Sequence, residues 1–199
     1  LFDMHQALLE VGYRELKEAP PIESIDNGIA QRITATFRRT LPGLRIASKW
    51  LRGNLEYLLQ DPEFKSYQHR ERLKGREVAE KAESGIGAHS SRTWRFLSRY
   101  TSFVTSLTQA FPQDQLKPMG HPLEEDIELR GFLPLKRLMG EDASVRSKPE
   151  SSHPNDEQLM RIYDLLADAK IMAGMEVRGT HVSGCSCLIK STELSLREH

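Results

Sequence analysis

Cysteine is nearly absent from this chain: Cys185 and Cys187, one residue apart near the end, are the only two among 199 residues. That pattern excludes a disulfide framework and points to a reducing compartment. Aromatic residues are also sparse, at 7%, and the hydrophobic share of 38% is low. Together they predict helices with broad solvated faces and long, loosely structured connections. Neither sign of charge prevails, since 28 Lys and Arg face 28 Asp and Glu. The chain as a whole therefore exerts no electrostatic pull on nucleic acid or membrane, and any such attraction must come from local clustering. Long hydrophobic runs are missing too. Thr101 to Phe111 carries no charge but is far shorter than a membrane span, so no membrane partner is expected. No signal peptide is visible, and the opening Leu1-Phe2-Asp3 lacks an initiator methionine, which reads as a segment of a longer protein. The length is ample for one domain with a sizeable core.

What is present is helical periodicity. Leu1, Met4, Leu8, Leu9 and Leu16 recur at roughly helical spacing up to Lys17, and Pro20-Pro21 ends the run. A second start is expected at Ser24 or Asp26, ahead of Ile29, Ile33 and Phe37, spaced by four and stacked on one face. Leu41-Pro42-Gly43 interrupts or kinks that pattern, which resumes at Leu44, Ala47, Leu51, Leu55 and Leu58 beside Trp50. Periodicity alone leaves open a bent rod or a hairpin. Thr93 to Phe111 is the third strong helix, with Trp94, Leu97, Thr101, Val104 and Leu107 on one face. Asn155 and Gln158 form a capping pair ahead of Leu159, Ile162, Tyr163, Leu166 and Ala169, a helix expected to end at Gly174. The reading is an all-α fold over residues 1–174. It includes a flexible loop near 75–92, a linker over 140–153 and a poorly ordered tail over 175–199, with one short strand around Cys187 to Ile189.

The sharpest chemical candidate is basic. Arg32, Arg38, Arg39, Arg45, Lys49 and Arg52 lie in a stretch, Asn27 to Leu55, that contains no acidic residue. Cations clustered on helices can neutralise phosphates and release counterions, giving weak, salt-sensitive binding of RNA or single-stranded DNA. The competing reading is a solvated helix face, or ion pairs with Glu124, Glu125, Asp126 and Glu128. Those four acids follow Pro122 at a helix start, where they complement the unpaired amides of the first turn, and that placement explains them without catalysis. His181, Cys185 and Cys187 fit no structural zinc spacing. Gly85 and Gly87 do not form a phosphate loop, and no nucleophile and base pattern is found. No catalytic residue, metal or cofactor is expected.

His121 to Met139 reads HPLEEDIELRGFLPLKRLM. Gly131 is placed to take a left-handed cap, Pro134 blocks a ladder, and Phe132, Leu133, Leu135, Leu138 and Met139, preceded by Leu129, make an apolar strip that must be buried against something. An extended strap laid over packed helical hairpins joined by irregular loops is expected, with Phe132 and Leu135 facing inward. The same run resembles one in the Ever Shorter Telomeres and SMG family of telomerase-associated proteins and nonsense-mediated mRNA decay adaptors. Thr36 to Leu58, TFRRTLPGLRIASKWLRGNLEYL, is similar to the fungal form of that family's DNA/RNA-binding region, and Asn155 to Ala173 to its last helix. The resemblance favours a long bent rod over a hairpin around Pro42. It implies a non-catalytic scaffold working in nucleus and cytoplasm with proteins of an RNA-surveillance or telomerase complex. The alternative it leaves open is a direct RNA- or DNA-binding module using the basic face. The family's phosphopeptide-reading and nuclease-like domains have no counterpart in this sequence.

Overall fold

The structure is a computed structural model that describes residues 2–20, 28–66, 69, 92–135 and 153–179. The expected loop near 75–92 falls almost wholly outside those residues. So do most of the 140–153 linker, Leu138 and Met139 of the apolar strip, the tail beyond Gly179 with its expected strand, the starts at Ser24 and Asp26, and His181, Cys185 and Cys187. Every regular element among the described residues is helical, as the all-α reading requires.

Four long helices make the body of the described residues. Helix α1 spans Phe2–Glu18, α2 Ala35–Leu59, and α3 Arg92–Ala110. A short α4 covers Glu124–Glu128, and α5 runs Pro154–Gly179, five residues past the expected stop at Gly174. Cross-helix pairs give the directions. His5 meets Phe96 while Gly12 meets Phe103, so α1 and α3 run the same way. His5 meets Trp50 while Glu15 meets Thr34, so α2 runs against α1. Arg38 meets Asn155 and Arg45 meets Asp164, so α5 is parallel to α2. The core between them includes Phe37, Leu41, Leu51, Phe96, Phe103, Leu107, Ile162 and Leu165, all almost wholly buried. Each such side chain stabilises the fold by about 1.5–3 kcal/mol.

Local chemistry sets the boundaries, and in several places it differs from the sequence reading. Ile29, Ile33 and Phe37 do not share one helix. A 3-10 turn covers Ile29–Arg32, and Thr34 then caps α2, its Oγ1 accepting from Phe37 N–H at 3.0 Å. The same hydroxyl donates to Glu15 Oε2 at 2.5 Å, tying that cap to α1. Past the cap, α2 continues unbroken through Pro42, so the rod is right and the hairpin is excluded. Pro42 removes one ladder hydrogen bond, which the packing of Leu41 and Leu44 on either side outweighs.

In α1 the buried line is His5, Leu9, Gly12 and Leu16, whereas Met4 faces solvent. Gly12 is there because a Cβ would lie 2.8 Å from a ring carbon of Phe103, so only glycine lets α1 and α3 approach this closely. The expected Asn155 cap is replaced by Pro154 at the first helical position, with His153 Nδ1 accepting from Asn155 N–H at 3.1 Å. Asn155 Oδ1 accepts from Arg38 instead.

Candidate functional site

The basic stretch does not form one surface. Arg45, Lys49 and Arg52 follow one another at i, i+4 and i+7 and therefore share a face of α2. On α5, Glu157, Arg161, Asp164 and Asp168 line one face by the same logic. Because α2 and α5 run parallel, these two stripes meet along their length. Arg45 Nε donates to Asp164 Oδ2 at 2.6 Å, and Lys49 Nζ reaches the same oxygen at 2.7 Å. Lys49 also lies 3.2 Å from Asp168 Oδ2, and Arg52 Nη1 donates to Asp168 Oδ1 at 2.5 Å.

Helix α4 closes the upper end of this layer. Arg45 Nη1 donates to Glu125 Oε1 at 3.1 Å and sits 2.8 Å from Asp126 Oδ1, an ion-pair contact off the hydrogen-bond axis. Glu125 is also gripped by Arg161, Nε to Oε1 at 2.9 Å and Nη2 to Oε2 at 2.8 Å. Asp126 Oδ2 accepts from the Leu123 N–H at 2.9 Å, which is the cap of α4. Pro122 thus lies just outside the helix instead of opening it, and the buried acids, Glu125 and Asp126, balance buried cations as well as completing the turn.

The electrostatics are those of a closed ionic layer. Burial opposes the charge on Arg45, but Asp126, Asp164 and Glu125 outweigh it and hold the guanidinium above its ordinary value. Burial likewise works against ionised Glu125 and Asp164, yet the surrounding cations keep both below the usual carboxylate range. Asp168, with no exposed surface and Asp164 as a neighbour, is pushed up by burial despite Lys49 and Arg52. Arg45 and Lys49 are 2% and 3% exposed, so neither is positioned to meet a phosphate.

The remaining cations of the stretch have local tasks as well. Arg32 is buried, donates to the Ala110 carbonyl at 2.6 Å and lies over the Phe111 ring, so it terminates α3. Arg38 Nη2 donates to Asn155 Oδ1 at 2.8 Å. Of the six, Arg39 alone is exposed.

A second cationic face lies outside the basic stretch. Arg92, Arg95 and Arg99, at i, i+3 and i+7 of α3, are all exposed, and Arg92 to Ala110 contains no acid. Arg99 has one loose partner, Glu10 at 3.5 Å, with both side chains more than half exposed. The signal was available: acid-free composition with arginines at helical spacing.

The segment after α4 is a correction to the strap. Leu129 to Leu135 is a run of turns, Phe132 N–H donating to Leu129 O at 2.9 Å and Leu135 N–H to Phe132 O at 3.0 Å. Gly131 has φ +86°, as expected. Those turns send Leu135 inward, at 1% exposure, but turn Phe132 out at 50% and Leu133 at 80%. Pro134 is exposed and Leu129 is partly buried. An extended chain would have alternated its side chains over the bundle; consecutive turns point two successive residues away from it.

No group of His, Cys, Asp and Glu suited to a metal ion occurs among the described residues, and no described helix is long and apolar enough to cross a membrane. A cavity lined by His5, Ser48, Tyr100 and Phe103 has room for about one water, too little for a cofactor. No match was found among curated proteins or among solved structures. Residues 7–138 match the model of the Est1 DNA/RNA binding domain, and with two-thirds of its length inside that match the chain belongs to this family.

Proposed function

We propose that the protein is a non-catalytic helical scaffold module of a telomerase-associated or nonsense-mediated mRNA decay adaptor, working in nucleus and cytoplasm and presenting surfaces to partner proteins. One observation carries this reading: Arg45, Lys49 and Arg52, the centre of the basic stretch, are consumed by Asp164, Asp168, Glu125 and Asp126 inside the bundle. The cations that made a phosphate-binding face plausible hold helices together. Cross-linking of the intact protein in nuclease-treated extract tests it. Partner proteins that persist without nucleic acid support the scaffold, and loss of every cross-link on nuclease treatment overturns it.

A second reading has its own support. The family is one of DNA/RNA binding domains, and the exposed Arg92, Arg95 and Arg99 row offers the cationic face that α2 does not. The loose pair with Glu10 is worth little in water and would yield to a phosphate. Three such contacts to a single strand correspond to a log–log salt slope of about −2. Fluorescence titration of single-stranded RNA at two salt concentrations, with Arg92, Arg95 and Arg99 changed together to Glu, tests this face. Binding that survives the triple change excludes it.

A further inference from the structure

The Arg92, Arg95 and Arg99 row has a neighbour on α1. His5 lies against Phe96 and Gly12 against Phe103, a step of seven residues on each helix, so α1 and α3 run parallel and in register. Glu10, Tyr13 and Lys17 stand at i, i+3 and i+7 of α1 and therefore share a face. Because Glu10 reaches Arg99, that face is the one turned toward the exposed side of α3. Continuing the arginine row at the same spacing brings Ser102 and Ser106, so hydroxyls lie opposite Tyr13.

Tyr13 is half-buried, and its ring rests against the core. Lys17, an exposed side chain, lies over the ring with Nζ 4.4 Å from its centre. In the same register Arg99 is level with Leu8, which puts Tyr13 about 7.5 Å farther along the axis, a step that one extended nucleotide spans. Both contacts along this groove are weak. An ammonium on a ring in water holds little, and neither does the exposed pair of Arg99 with Glu10. A phosphate is a stronger partner for either cation, and a base is a stronger partner for the ring that Lys17 would leave.

The acids of α1 do not reverse this balance. Asp3 and Glu10 lie on the same face as Lys17, against Lys17, Arg92, Arg95 and Arg99, and Asp3 is level with Trp94, at the far end from Tyr13. Glu15 is held by Thr34 on the side of α2, and Glu18 lies about 100° round the helix from Lys17. We infer that Tyr13 is the platform on which one unpaired base of a single-stranded nucleic acid stacks, with Arg99 and Lys17 taking the phosphates on either side of it. This rests on the arginine-face reading and gives that face a reason to select single strands, since bases inside a duplex are stacked on one another and cannot reach a ring on a helix surface.

The test follows the whole chain by fluorescence anisotropy against two labelled strands of equal length, an oligodeoxyadenylate and an abasic strand with the same phosphates and no bases. The adenylate is expected to bind at least about tenfold more tightly than the abasic strand. Tyr13→Phe should keep that ratio. Tyr13→Leu should bring it close to one, with the salt dependence of abasic binding unchanged, whereas the change of Arg92, Arg95 and Arg99 to Glu should weaken both strands. Equal affinity of the native chain for the two strands overturns the inference and leaves the arginine-face reading standing, as does an undiminished ratio in Tyr13→Leu. Ultraviolet cross-linking of the native chain to an iodouracil-bearing strand decides the matter without any substitution: a cross-link at Tyr13 supports the platform, and cross-links confined to other residues overturn it. Absence of binding to either strand overturns this inference and the arginine-face reading together.

Discussion

Glu125 and Arg161 face each other as a fork against a fork, with parallel hydrogen bonds of 2.9 and 2.8 Å in a site from which water is nearly excluded. Two-point geometry of this kind fixes the direction of both side chains, and here it fastens α4 to α5. Removing one member leaves the other charged and buried. Glu125→Ala is therefore expected to cost about 3–5 kcal/mol, read as a lowered denaturation midpoint in urea. Glu124→Ala, one residue earlier and exposed, should stay within about 0.5 kcal/mol.

The turn after α4 makes an opposite pair of predictions for two neighbouring apolar residues. Leu135→Ala should cost about 2–5 kcal/mol because its side chain is enclosed. Phe132→Ala should change stability by no more than about 0.5 kcal/mol, since half of that side chain already faces water. Equal costs at the two positions would mean that Phe132 is not turned outward in solution.

Gly12 is predicted to reject even a methyl group. An added Cβ would stand 2.8 Å from Phe103 Cε2 and 3.2 Å from Leu44 Cδ1, and Phe103 is itself 1% exposed, so its ring can yield only by disturbing the core packed around it. Overpacking of about 1–3 kcal/mol should exceed the roughly 0.5–1 kcal/mol that alanine gains over glycine in a helix. Thermal melting of Gly12→Ala decides the sign.

Acid should weaken the protein through His5 before it reaches the carboxylates. Burial holds the His5 imidazole below its ordinary 6.5, so between that value and its folded value the unfolded chain binds the extra proton. Stability from a neutral His5 is thus fully present above pH 6.5 and declines as the pH falls. Glu125 and Asp164, held below their ordinary 4.5 and 3.8, contribute stability that is lost only at lower pH. Asp168 shifts the other way, but it is common to both proteins in a comparison with His5→Leu. Melting temperatures from pH 7 to 5 should fall in the wild type more steeply than in His5→Leu, and parallel curves would exclude His5 as the group responsible.

How much of this could be read from the sequence depends on how far apart the partners are. Thr93 to Phe111 matches the observed helix Arg92–Ala110 within a residue at each end, because local periodicity and Pro112 define it. The left-handed Gly131 was equally local. Pairing of the basic stretch with Glu125 and Asp126 was one of two readings open from composition, but Asp164 and Asp168 were not connected to it. Their contact with Arg45 and Lys49 depends on α2 and α5 being parallel, a relationship set by packing across more than a hundred residues of chain. The Thr34 cap is hidden for a different reason: Ile29, Ile33 and Phe37 satisfy helical spacing although a 3-10 turn and a cap separate them. An apolar strip implies extended chain with Phe132 inward, whereas the turn that forms buries Leu135 and leaves Phe132 half exposed.

The parallel seam between α2 and α5 has a bearing on how this protein is cut. The family match ends at residue 138, yet Asp164 and Asp168 lie beyond it. A fragment trimmed to the matched region would strip Arg45, Lys49 and Arg52 of these counter-ions and uncover the leucines that α5 shields. Polyanion affinity measured on such a fragment would belong to the scissors and not to the molecule.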